Sequence, residues 1–314
     1  MAASSPAKAI LFGEHFVVKG AAGVAAAISL RARVKVEEAG NRGVVITSSM
    51  GEARINGKPV PGWAEPFKMV LEWLRDRGYS EAPARVVVES DIPPRAGLGS
   101  SAAVSAAFAL AYTTLHGDPL GVGDLIKAAT VGEAAAHGRP SGIDPTVTVL
   151  GGIVSFSREE DPMVLRPPRL ESVALVIADS GVERSTREAV EKVLTLAEKY
   201  WDVMSKLYYA ADTLSRRAVK HLSRGDYESV GELMNINHGL LAAIGVSTPR
   251  LEELVYTARE AGALGAKITG AGMGGSIVGL TRIEDSGRVL ESLKEKAAWA
   301  RSVEMGVEGT RLEE

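Results

Sequence analysis

Pro93-Pro94-Arg95-Ala96-Gly97-Leu98-Gly99-Ser100-Ser101-Ala102-Ala103 is the stretch from which the fold is read. Just upstream, Arg85-Val86-Val87-Val88-Glu89 reads as a strand, and the two prolines stop it. Downstream, Ala102 to Leu115 is rich in Ala and Leu and free of Gly and Pro, which predicts a buried helix ended by Gly117. Between them, Gly97 and Gly99 let the backbone come close to an anion. Successive N–H groups at the helix start then hold phosphate, helped by the helix dipole. Ser100 and Ser101 can cap that helix, and a hydroxyl there can also reach a metal bound to phosphates. The loop is neither G-x-x-x-x-G-K-[ST] nor G-x-G-x-x-G. Alone, it is also open to a plainer reading, a glycine turn before a serine-capped helix.

Lys8 lies in Ala7-Lys8-Ala9-Ile10-Leu11-Phe12, a short apolar strand. A lone ammonium there is costly unless an anion meets it. Phosphate or Asp144 would serve; a surface or edge-strand lysine is the alternative. Gly13-Glu14-His15 follows, with His15 open to a substrate contact or a turn role. Glu133 and His137 are four apart and share a helix face. Glu133 stands among Ala128, Ala129, Ala134, Ala135 and Ala136, where a carboxylate is out of place unless it meets a cation. Pro140-Ser141-Gly142 reads as a turn, and Asp144 follows as a loop carboxylate, catalytic or turn-forming. Gly270-Ala271-Gly272-Met273-Gly274-Gly275 suits close approach to a substrate or to the phosphate loop, or else tight sheet packing. His116, His221 and His238 show no metal-ligand spacing.

A chain of 314 residues has room for two domains. With 46% apolar and 24% charged residues it is an ordinary globular composition. A net charge of −3 and scattered Lys and Arg give no general attraction to nucleic acid or an anionic membrane. The absence of cysteine excludes disulfides, thiolate metal sites and a Cys nucleophile. Glutamine is also missing and asparagine occurs only at Asn41, Asn56, Asn235 and Asn237, a depletion found in heat-adapted proteins. The start, Met1-Ala2-Ala3-Ser4-Ser5-Pro6, carries no charged leader with a long apolar run. Ala21 to Leu30 is too short to cross a bilayer, so a cytoplasmic protein is expected.

Further strands are expected at 33–37, 44–46, 151–156, 173–178 and 276–280, and near the tail at 300–306. Helices are expected over 63–77, from 123 to about 137 with Asp124 as N-cap, and through 186–224, 226–244 and 248–262. Strands and helices in this mixed order argue an α+β fold rather than a regular βαβ series, with a domain boundary near residue 172.

P-A-K-A-I-L-F-G-E-H at 6–15, P-P-R-A-G-L-G-S-S-A-A at 93–103 and T-G-A-G-M-G-G-S at 269–276 occur in an order that resembles the GHMP kinase superfamily over nearly the whole chain. G-E-A-A-A-H-G-R-P-S-G-I-D at 132–144 and N-I-N-H-G-L-L-A-A-I-G-V-S at 235–247 are most similar to its mevalonate kinase branch, in a short archaeal or bacterial form. The resemblance implies a two-domain GHMP kinase fold with the active site in the cleft between domains. Residues 1–172, completed by 303–314, would form a ribosomal protein S5 domain 2-like unit, and 173–302 a ferredoxin-like α/β sandwich.

The resemblance also implies ATP-dependent phosphorylation of the 5-hydroxyl of (R)-mevalonate in isoprenoid biosynthesis, with Mg²⁺ as cofactor. Galactose, phosphomevalonate or another mevalonate hydroxyl are the alternative acceptors. Residue by residue, Asp144 matches the catalytic aspartate and Lys8 the lysine beside it. Pro94, Arg95, Ala96, Gly97, Leu98, Gly99, Ser100, Ser101 and Ala102 match the phosphate cradle, and Ser101 and Glu133 the metal ligands. Glu14, His15, His137, Ser141, Thr186, Gly270, Ala271 and Gly272 match positions at or near the acceptor. A homodimer is compatible with the family; nucleic-acid and membrane partners are not expected. Arg95, Met273 and Pro145 depart from its usual residues.

Overall fold

Two β-sheets organise the chain, and the computed structural model describes residues 1–40, 43–79, 82–94, 96–137, 142–157, 161–183 and 185–313. The first half of the chain runs β1 (Ala2–Phe12), β2 (Gly23–Glu38), β3 (Val44–Ser48), β4 (Gly51–Ile55), α1 (Glu65–Arg75), β5 (Ala84–Ser90), α2 (Ser100–Leu115), α3 (Val122–His137), α4 (Ile143–Leu150), β6 (Ile153–Phe156) and β7 (Met163–Leu165). The second half runs β8 (Val173–Asp179), α5 (Thr186–Lys199), α6 (Trp201–Leu222), α7 (Tyr227–Ala243), α8 (Pro249–Glu260), β9 (Gly265–Ile268), β10 (Ser276–Arg282), α9 (Ser286–Lys294), β11 (Trp299–Val303) and β12 (Arg311–Glu313).

The first sheet has the order β12-β1-β2-β5-β3-β4, with β6 on β2 and β7 on β6. Its pairings are antiparallel except β3 with β5. β2 is 16 residues long and changes character along its length. Arg33, Lys35 and Glu37 alternate outward against buried Val34 and Val36, as in a one-faced strand, whereas Gly23 to Ile28 is buried throughout. The expected strand over 33–37 is therefore only its second half. The Ala-rich first half lacks both β-branched residues in number and any period of two, so it carries no strand signal. α2 is buried nearly all round, as expected of its Ala-rich sequence, and packs on β1 and β2.

The second sheet is β11-β8-β10-β9, antiparallel throughout, with α7, α8 and α9 against it. The tail strand expected near 300–306 is β11 in this sheet, while β12 returns to β1 in the first. One apolar cluster runs across both sheets, with Ala7, Leu11, Val24 and Ala103 on one side and Leu175, Ile177, Val278 and Leu280 on the other. At about 25 cal/mol per Å² of apolar area, such a shared core favours the two sheets staying together.

Two local expectations are corrected. Asp124 is the third residue of α3 and pairs with Lys127 at 2.9 Å, so it supports the first turn rather than capping it. Asp144 is not a loop residue but lies in the first turn of α4, whose N-cap is Gly142. Pro145 is tolerated there because the first helical N–H groups have no intrahelical partner. Among the described residues, no helix is long and apolar enough to cross a membrane.

Candidate active site

The site is assembled on an open edge of β1. β12 covers that edge only at Ala2 to Ser4. Beyond it, a strand edge exposes N–H groups that must be satisfied if they are buried. The Lys8 N–H donates to the Leu98 carbonyl of the glycine loop at 2.9 Å. The Ile10 N–H, two residues on and on the same edge, donates to Thr269 Oγ1 at 2.9 Å. A single strand edge thus gathers the segments around 8, 98 and 269, which are distant in sequence.

Lys8 is 3% exposed, and its ammonium lies 3.0 Å from Asp144 Oδ1 while donating to the Gly97 carbonyl at 3.1 Å. The costly strand lysine has therefore found both a carboxylate and the phosphate loop. Gly97 and Gly99 both have positive φ, 77° and 78°, and Gly99 is the N-cap of α2. A Cβ at Gly99 would stand 3.1 Å from Lys8 Cγ and 3.3 Å from Asp144 Oδ2, tight contacts added to a left-handed backbone, so glycine is favoured where the loop lies over this pair. Ser100 and Ser101 open α2 directly after its N-cap Gly99, both half-buried.

Gly132 packs so tightly on Ser105 that any Cβ would overlap the hydroxyl. That contact sets α3 closely against α2 at the residue before Glu133. Glu133 is buried, and its Oε2 has no hydrogen-bond partner among the described residues. Burial first, and then the Asp144 charge, push its carboxyl up to about 9, while Lys8 pulls it down. A buried carboxylate with an unused oxygen beside Asp144 is a place for a cation. Among the described residues, no three His, Asp or Glu side chains form a cage by themselves. One or two carboxylates in this arrangement suit Mg²⁺, which keeps waters and phosphate oxygens around such ligands.

On the opposite wall, His15 is buried with Nε2 2.7 Å from the Ala271 carbonyl. Glu14 is differently employed: its side chain is 1% exposed, pairs with Lys267, and accepts from Asn237 Nδ2 at 3.1 Å. In the glycine run, a Cβ at Gly272 would collide with the Val246 carbonyl, and the Met273 N–H donates to that same oxygen at 2.7 Å. At Gly272 the close approach is to the protein's own backbone, the Val246 carbonyl between α7 and α8. Ser276 Oγ, fully buried at the end of this run, lies 3.0 Å from the Ala96 carbonyl and 2.8 Å from Asp179 Oδ2, tying it to the phosphate loop.

Thr186 opens α5, exposed, after the cap formed by Ser185 on the Glu188 N–H. Pro94 is exposed, and Ala96, Leu98 and Ala102 are buried supports of the loop. Arg95 and Ser141 lie outside the described residues, as does the side chain of His137. Sequence reasoning passed over Lys267, Asn237 as a Glu14 partner, and Ser276. Lys267 carried the same signal as Lys8, an ammonium in an apolar run, Leu264-Gly265-Ala266-Lys267-Ile268.

Residues 66–152 match the GHMP kinases N terminal domain and residues 218–298 match GHMP kinases C terminal. The mevalonate kinase of Aeropyrum pernix is 46% identical, over 99% of this chain and 98% of that one. Among solved structures, L. major mevalonate kinase in complex with R-mevalonate superposes with a TM-score of 0.84 at 28% identity, covering 96% of this chain and 94% of that one. Lactococcus lactis galactokinase complexed with galactose reaches the same TM-score, 0.84, at 20% identity, covering 99% and 95%. Backbone shape is thus shared across acceptors, whereas identity along the whole chain singles out one branch. The chain belongs to the GHMP kinase family and, within it, to the mevalonate kinases.

Proposed function

We propose that this protein transfers the γ-phosphoryl group of ATP to the 5-hydroxyl of (R)-mevalonate, giving 5-phosphomevalonate and ADP. The observation that carries the chemistry is the Lys8–Asp144 pair held directly under the Gly97–Gly99 loop at the start of α2. The full-length identity to a mevalonate kinase and the likeness to a structure holding R-mevalonate support the acceptor. We assign the division of labour to residues 1–172 with 303–314, which carry the loop and the catalytic pair, and to residues 173–302, which close the acceptor side.

The N–H groups at the start of α2 cradle the phosphates, assisted by the helix dipole. Asp144 accepts the hydroxyl proton as the acceptor oxygen bonds to the γ-phosphorus and the bond to the bridging oxygen of ADP breaks. Lys8 holds Asp144 in place and sets a positive charge beside the transferring group. Ser101 and Glu133 would hold Mg²⁺, which when bound neutralises charge on the phosphates. His15 and the Gly270–Gly272 turn face the acceptor, with His137, Ser141 and Thr186 assigned to the same side by family resemblance.

An ADP-release assay with mevalonate, phosphomevalonate, galactose and homoserine tests this assignment. Release that depends on mevalonate above the other acceptors is expected. Equal or greater release with another acceptor would overturn it.

A further inference from the structure

Lys267 and Glu14 form the most deeply buried ion pair among the described residues, with side-chain exposures of 0% and 1%. An ammonium with three protons needs several acceptors when water is excluded. Lys267 Nζ meets Glu14, the Ile268 carbonyl at 2.5 Å and, more loosely, the Ile10 carbonyl at 3.5 Å. Asn237 of α7, itself fully buried, takes up the other Glu14 oxygen. Both Glu14 oxygens are therefore engaged within the protein, one by Lys267 and one by Asn237, which fixes the carboxylate where it follows on β1.

Its location gives the pair a task. β1 leads into the Gly13–His15 turn, and β9 leads into the Thr269–Gly275 run. The two segments are tied on one side by Thr269 with Ile10 and on the other by His15 Nε2 with the Ala271 carbonyl. The ion pair sits between these ties. Burial lowers the pKa of Lys267, Glu14 opposes that, and the Lys8 charge adds to the lowering, so the pair lies within electrostatic reach of the catalytic lysine. An anionic acceptor entering here meets a wall whose carboxylate is already neutralised.

We propose that Lys267 is a positioning residue for the acceptor. Its ion pair with Glu14 holds the 13–15 turn and the 269–272 turn in the register at which His15 and the Ala271 carbonyl meet mevalonate. This rests on those turns lining the acceptor side, as assigned above. ATP binds against the α2 loop, so losing the pair moves the acceptor terms and spares the nucleotide terms.

The test compares the parent with Lys267→Met, Glu14→Gln and the double variant, by steady-state kinetics and thermal unfolding. Glu14→Gln guards against a misfolded Lys267→Met, because the amide oxygen still accepts from Lys267. Each single variant is expected to raise KM for mevalonate about tenfold or more, with KM for ATP within about twofold. The double variant removes both charges, so its melting temperature returns toward the parent while KM for mevalonate stays raised. KM for mevalonate recovering together with stability would overturn the proposal, since the pair would then be merely structural. So would both KM values moving in parallel, or neither moving. A parent without mevalonate-dependent ADP release would instead refute the functional assignment, and this inference with it.

Discussion

Replacing Lys8 with Met removes one charge and keeps most of the stem that Gly99 packs against. In the parent, the ammonium is 3% exposed, 3.0 Å from Asp144 and 3.1 Å from the Gly97 carbonyl. Breaking a fully buried pair by removing one partner costs about 3–5 kcal/mol, and the 17% exposure of Asp144 lets water reduce that to roughly 2 kcal/mol. The chemical step loses more, because the substitution also removes a positive charge from beside the transferring phosphoryl. Losing one such preorganised donor lowers kcat by about 10²–10³, and the displaced Asp144 extends the expected loss to about 10³. That factor corresponds to about 4 kcal/mol of transition-state stabilisation. The assay is kcat and both KM values by ADP release, with thermal unfolding on the same preparation. A kcat within about threefold of the parent, in folded protein, would refute the role given to Lys8.

Gly99→Ala places a Cβ at φ 78° and 3.1 Å from Lys8 Cγ. The left-handed backbone alone costs about 1–2 kcal/mol; kcat is expected to fall more steeply than the melting temperature, both read on one preparation. Glu133→Gln should weaken the Mg²⁺ dependence of ATP turnover, measured by titrating Mg²⁺ at fixed ATP; an unchanged dependence would count against Glu133 as a ligand. Without metal, the Glu133 carboxyl is raised from 4.5 to about 9, so the folded state retains a proton that the unfolded chain releases. Stability of the metal-free parent should therefore fall as pH rises from the ordinary carboxyl range toward about 9, and fall less in Glu133→Gln, by thermal unfolding across pH. Thr269→Val leaves the buried Ile10 N–H without its acceptor, a loss of about 1–3 kcal/mol readable by denaturant unfolding.

Much of the site was legible because single residues broke the local pattern. Lys8 in an apolar strand, Glu133 in an alanine-rich helix and the glycine–serine loop each carry a cost or a freedom that a sequence displays. Partners are harder to read. Glu14 and Lys267 are separated by 253 positions, and nothing in either segment says that they neutralise each other. The resemblance assigned Glu14 to the acceptor side but said nothing of Lys267 and Asn237, which hold its two oxygens.

Elements were lost where burial changed the usual pattern. The first half of β2 is buried and built largely of alanine, so it shows no alternation and only Val24 and Ile28 as β-branched residues. α4 is short, starts on a glycine and carries Pro145 in its first turn, all of which read as loop although the first helical turn permits them. The way β1 uses its free edge to take up both Leu98 and Thr269 exists only in three dimensions.

The central claim is that the acceptor oxygen delivered to the Lys8–Asp144 pair is the primary hydroxyl of mevalonate. Proton-coupled phosphorus NMR of the product formed from ATP and (R)-mevalonate tests it most directly. A phosphomonoester resonance split into a triplet by the adjacent methylene protons is predicted. An unsplit ester resonance, as from the tertiary hydroxyl, or no ester resonance at all, would contradict it.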